Sequence, residues 1–170
     1  ALTPISLEAT TETGLTVRIA VTGSIATDHL MKFEGRFADN LVAEQMERLS
    51  VSFLVESLEI RRGGIAANIA FGLGQLGLSP LLVGSVGPDF DNDYRPWLNR
   101  HGVDTTPVHV SEMKHTARFV CTTDQSEAQI ASFYAGAMSE ARDIELEPIA
   151  DKHGGLDLVV ISPNDPEAML

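Results

Sequence analysis

The sequence holds a single cysteine, Cys121, in 170 residues, so no disulfide can close within the chain. It is also poor in basic charge. Twelve Lys and Arg stand against 24 Asp and Glu, a formal net charge of −12. That balance argues against nucleic acid held on a basic face, and equally against an anionic membrane surface. No apolar run approaches the length that a bilayer requires. The first residues contain no basic segment followed by an apolar one, so no secretory signal is expected and the cytoplasm is the expected location. Gly-Lys-Ser and Gly-Lys-Thr are absent, which excludes a Walker-type phosphate loop. His, Cys, Asp and Glu do not cluster at metal-ligand spacing, so no metal ligand is assigned.

What is present suits a globular α/β domain. Hydrophobic residues make up 44% of the chain and charged residues 21%, ordinary values for one packed core. Residues 1–16, rich in Thr, Glu and Ser, read as a disordered leader. Val17 to Thr22, Pro80 to Val86 and Leu156 to Ile161 are short and almost continuously apolar, as strands buried on both faces of a parallel sheet are. Ile65 to Leu76 has the apolar stripe of a helix, with Gly77 placed to cap it. Asp89 to Arg100 reads as a helix whose middle Pro96 weakens. Val103 to Val110 is expected to return to the sheet, and Ala137 to Ile149 to form one or two short helices.

The stretch Arg61-Arg62-Gly63-Gly64-Ile65-Ala66-Ala67-Asn68 carries the first functional signal. Two glycines before a helix can adopt positive φ and let a ligand approach the backbone. The helix that follows would aim free N–H groups and its positive dipole end at that ligand, with the Asn68 amide one turn inside. A glycine-rich turn with no ligand fits the local sequence as well. Asp28, beyond the first strand, lies where open α/β sheets bind ligands, and its carboxylate can accept from two vicinal hydroxyls. Residues 29–61 hold strand-like pieces at His29–Phe33 and Val51–Ile60 around a helical Ala38–Leu49. Thr116–Thr122 and Gln129–Tyr134 form a hairpin pattern. Phe119 and Phe133 on its arms can form a small core there or stack on a planar ligand from both faces. Cys121 is expected to pack inside the hairpin.

The run Gly63-Gly64, Asn68, Ala70, Gly77 and Gly87 resembles the first signature of the ribokinase (PfkB-type) carbohydrate kinase family. Val21-Thr22-Gly23-Ser24-Ile25-Ala26-Thr27-Asp28 looks like the family's first strand and its sugar-binding Asp. His115-Thr116-Ala117-Arg118-Phe119 and Gln129-Ile130-Ala131-Ser132-Phe133-Tyr134 are similar to one branch, the bacterial sugar-kinase-like adenosine kinases. The resemblance spans about Arg18 to Leu170. It implies a three-layer sandwich with a mainly parallel sheet and a small β-lid, made of segments near 29–61 and 115–135, that closes the site and pairs two copies into a homodimer. It further implies that adenosine is phosphorylated by ATP and Mg2+ at the ribose 5′-hydroxyl to give AMP. Asp28 and Asn68 would hold the ribose, Gly63 and Gly64 would offer backbone contact, Ser24 would sit at the pocket edge, and Phe119 and Phe133 would flank the adenine. A ribose- or fructose-type sugar kinase shares most of these residues, and a non-catalytic binding or dimerising module is the remaining alternative. The family's catalytic Asp belongs to a DTxGAGD-type motif, and nothing like it occurs here. The sequence stops inside an apparent first helical turn at Pro166–Leu170, so a longer protein is expected. The catalytic Asp and the ATP and Mg2+ contacts would then lie beyond Leu170, with no turnover from this chain alone.

Overall fold

The computed structural model describes residues 17–40 and 51–170. The expected leader at 1–16 lies outside the described residues, as does the expected Ala38–Leu49 helix from residue 41 on, α1 (Phe37–Asn40) being the described part. Three parallel strands form the central sheet, β1 (Ile19–Thr22) lying between β4 (Leu81–Val83) and β9 (Leu158–Ile161). Its side chains alternate between two apolar layers, as a strand's period of two requires. Ile19, Val21 and Leu82 pack with Ala66, Ala67 and Ala70 of α2 (Ile65–Gln75) and Leu98 of α3 (Tyr94–Arg100). On the opposite face, Ala20, Leu81 and Val83 meet Ile144, and Leu146 and Ile149 of α4 (Leu146–Lys152). Helix, sheet and helix thus make three layers.

A second sheet has the order β3-β2-β7-β8: β3 (Ser57–Gly63), β2 (Ala26–Lys32), β7 (Ala117–Thr123) and β8 (Gln129–Tyr134). β2 and β7 run parallel, while β3 and β8 flank them antiparallel. The tip of the β7–β8 hairpin is tied down by Asp124. Its carboxylate accepts from the Phe37 N–H at 2.8 Å and from the Ser126 and Ala128 N–H groups. Cys121 is buried in β7, facing Leu30 and Ala131 across the strands.

Several boundaries differ from expectation, each for a local reason. The strand read at Val51–Ile60 sits further on, at Ser57–Gly63, because it pairs residue by residue with Ala26–Lys32. Asp28 therefore stands within a strand and not in a loop. Pro80–Val86 is broken at Gly84. Leu81–Val83 joins the central sheet, whereas β5 (Ser85–Val86) pairs with β6 (His109–Val110), the only strand in 103–110. A side chain at Gly84 would stand 2.8 Å from the Gly23 carbonyl, so the kink runs tight against the first turn. Asp89–Arg100 divides into a 3₁₀ turn at Pro88–Asn92 and α3. Pro96 falls in the first turn of α3, where its missing N–H costs no intrahelical bond. Gly77, as expected, ends α2: at φ +84° it lets Leu78 N–H reach back to the Leu73 carbonyl. Gly102 and Gly154 end α3 and α4 in the same way.

Candidate functional site

The corner between β3 and α2 is packed to the limit of glycine. Gly64 has φ +91°, and a Cβ there would lie 2.5 Å from the Ser24 carbonyl oxygen and 2.6 Å from Ile25 Cα. This close approach brings the start of α2 onto Ser24. Ile65 N–H donates to Ser24 Oγ at 3.0 Å, and Ala66 N–H to the Ser24 carbonyl at 3.1 Å. Two N–H groups expected to be free for a ligand are therefore already used, and Ser24 caps the helix from 41 residues upstream.

Gly63 does its work differently. Its φ is not positive, contrary to the expectation for the pair, but a Cβ would meet the Asp28 carboxylate at 2.7 and 2.8 Å. The absent side chain is what lets Asp28 lie across the strand. From below, the Tyr94 hydroxyl donates to the Gly63 carbonyl at 2.8 Å, and burial raises the Tyr94 phenol above its ordinary pKa.

Ser24, Asp28, Gly64 and Phe133 line one cavity of about 320 Å3, together with Ile65, Met138 and Asn164. Asp28, Phe119 and Phe133 are consecutive partners across β2, β7 and β8, and so share one face of the second sheet. The two rings are neighbours on one surface. They form one wall, not the two jaws expected to hold a planar group from both sides. Phe133 is 53% exposed and borders the cavity, while Phe119 is half-buried behind it, between Asp28 and Phe133. Asn68 is exposed one turn beyond Ile65 on the same face of α2, outside the cavity lining.

Asn164 was not singled out by sequence reasoning. Its Oδ1 is buried with no hydrogen-bond partner, an acceptor left open at the cavity. Only its place after an apolar strand hinted at it, since ligands gather at carboxyl ends of parallel strands. Asp89 was missed as well. It accepts from the Thr116 N–H at 2.9 Å and the Thr116 hydroxyl at 3.0 Å, fastening the Pro88–Asn92 turn to the start of β7. Burial works against that carboxylate, but the Thr116 hydrogen bonds outweigh it and hold its pKa below the ordinary value. Among the described residues no three His, Cys, Asp or Glu stand together as a metal site. No described helix is long and apolar enough to cross a membrane.

With this geometry, residues 19–170 match the pfkB family carbohydrate kinase profile. A nucleoside kinase of Methanocaldococcus jannaschii is 30% identical over 125 residues, covering 73% of this chain and 40% of that protein. The Burkholderia thailandensis nucleoside kinase, solved in complex with inosine, superposes with a TM-score of 0.67 at 29% identity, over 89% of this chain and 46% of that one. The Methanocaldococcus jannaschii nucleoside kinase structure, described as an archaeal member of the ribokinase family, gives a TM-score of 0.71 at 25% identity, again over 89% and 46%. The chain thus spans less than half the length of the relatives it matches. In sequence and in its ribokinase-like fold, the chain belongs to the pfkB family of carbohydrate kinases.

Proposed function

We propose that this chain is the acceptor-binding part of a nucleoside kinase that transfers the γ-phosphoryl group of ATP to the 5′-hydroxyl of adenosine, giving AMP in purine salvage. The observation that carries the reading is the row Asp28–Phe119–Phe133 across one sheet face. A carboxylate able to accept two vicinal hydroxyls stands at one end, and an aromatic wall suited to a base at the other. Asn164 Oδ1 adds an open acceptor for a ligand N–H or O–H. A relative whose structure holds inosine supports a purine nucleoside over a bare sugar. The role of these residues is to bind and orient the hydroxyl, since phosphoryl transfer depends on positioning and electrostatics. ATP, Mg2+ and the proton-accepting Asp belong to a part of the protein other than these residues. The second sheet then acts as a lid over the nucleoside. Its other face exposes Leu58, Ile60 and Ile130, which a second copy of the chain would cover in a homodimer.

Calorimetric titration of the chain with adenosine, inosine and ribose tests this reading. Nucleosides are expected to bind about tenfold or more tightly than ribose, as a stacked base contributes about 1–3 kcal/mol. Phe133→Ala should remove that difference, and Asp28→Asn should weaken nucleoside and ribose alike. Equal affinity for ribose and adenosine, unchanged in Phe133→Ala, would point instead to a sugar kinase, which gives the Phe133 wall no task.

A further inference from the structure

The opposite face of the second sheet covers a separate cavity of about 330 Å3, closed below by Phe90, Asp93 and Tyr94. Arg62, from β3, and Arg118, from β7, both line it, and each has a buried Nε–H with no acceptor. Two orphaned guanidinium donors bordering one cavity are unusual, because nearly every buried polar group in a folded protein is satisfied. Their terminal nitrogens are only partly engaged. Arg118 stands 3.5 Å from Asp89, a long contact, and Arg62 meets an Asp93 carboxylate that is 69% exposed. Arg61 also borders the cavity, but its guanidinium is taken by Glu59 at 2.8 and 2.9 Å and its register puts it on the Asp28 face, so Arg62 and Arg118 are the two donors that matter. Arg62 is further fixed by the Trp97 ring, 4.8 Å below it, and so is held ready for a ligand.

We propose that this cavity is an oxyanion site that takes a phosphate group, free or as a small phosphomonoester. A phosphate oxygen can accept from Nε and a terminal nitrogen of one guanidinium together, the fork geometry that favours arginine at such sites. Bridging Arg62 and Arg118 would link β3 to β7 across β2 and hold the sheet against the Pro88–Asn92 turn. The site lies on the face of the sheet opposite Asp28 and Phe133, so it does not depend on the nucleoside reading.

Inorganic phosphate is the probe. Its 31P resonance should broaden saturably on titration with the chain, and the chain's melting temperature should rise with phosphate more than with chloride at equal ionic strength. Arg62→Gln and Arg118→Gln should each weaken the binding about tenfold, the loss expected for one charge-assisted hydrogen bond. Phe133→Ala, on the other face, should leave it unchanged. A small phosphomonoester such as glycerol phosphate, used in competition, decides between the two sources. Displacement at lower concentration than free phosphate identifies the ester, and weaker displacement identifies free phosphate. Absence of saturable broadening with the native chain overturns the proposal whatever the variants do. So does binding that survives both arginine changes or is lost in Phe133→Ala.

Discussion

At the scale of single residues, the candidate site depends on what two positions lack. Gly64 must be glycine because positive φ and contact with the Ser24–Ala26 backbone coincide there. Gly64→Ala is therefore expected to cost about 3 kcal/mol, strain and overlap combined, read as a lower denaturant midpoint with an unchanged slope. Gly63 fails a side chain for another reason, the Asp28 carboxylate lying where a Cβ would be. The sequence therefore couples residues 63 and 28, and enlarging the first displaces the second. Polar atoms follow the same economy. Ser24 spends its hydroxyl on Ile65 N–H, while Asn164 keeps a buried oxygen open.

At the scale of elements, one carboxylate joins two segments that the sequence separates by 27 residues. Asp89 holds Thr116 by both its N–H and its hydroxyl, and the same hydroxyl accepts from the Gly87 N–H at 3.0 Å. Asp89→Asn keeps the shape but replaces one acceptor oxygen by a donor. It should lower stability by about 1–3 kcal/mol and speed amide exchange at the start of β7 before that in β1, measurable by hydrogen-exchange NMR. The elements were legible in the sequence to unequal degrees. The central strands and α2 showed themselves, because apolar period and flanking glycines are local signals. The break at Gly84 did not, since it comes from the chain changing partners between β1 and β6, a tertiary choice that periodicity cannot express. The bounds of β3 are hidden from periodicity for a related reason: its ends are set by register with β2. The site followed the same division. Asp28, Gly63 and Gly64 were visible as types at a spacing. The hairpin pattern already put Phe119 and Phe133 on neighbouring arms, but their place in one row with Asp28, the capping role of Ser24 and the open oxygen of Asn164 required knowing how distant segments pack.

At the scale of the whole molecule, stability should fall in two stages on acidification. Burial, and then the nearby Arg118, hold the His29 imidazole below its ordinary pKa, with Asp28 opposing. Below about pH 6.5 the unfolded chain therefore takes up a proton that the folded chain resists, and stability declines as pH falls. The second stage belongs to carboxylates held below their usual range. Burial opposes this at Asp89 and Glu140, where hydrogen bonds from Thr116 and from Ser111 outweigh it. At Asp157 the Arg18 N–H is the main cause, and at Asp165 the Arg142 guanidinium. Their contribution is complete above the unfolded values near pH 4 and is lost as pH drops through the folded ones. Urea midpoints measured from pH 7.5 to 3 should show both stages, and His29→Gln should abolish the first alone.

The central strand β1 has a further consequence, for the order of events during synthesis. Its partners both come later, and Ile19 pairs with Leu158 across 139 positions, the separation that also divides Arg18 from Asp157. At ribosomal rates of about 5–20 residues per second, β1 waits on the order of ten seconds with one edge unpaired before β9 has been made. An apolar strand held open that long is a hazard for misassociation in a crowded cell. Such long-range closure also places the chain among slow folders, whatever its final stability.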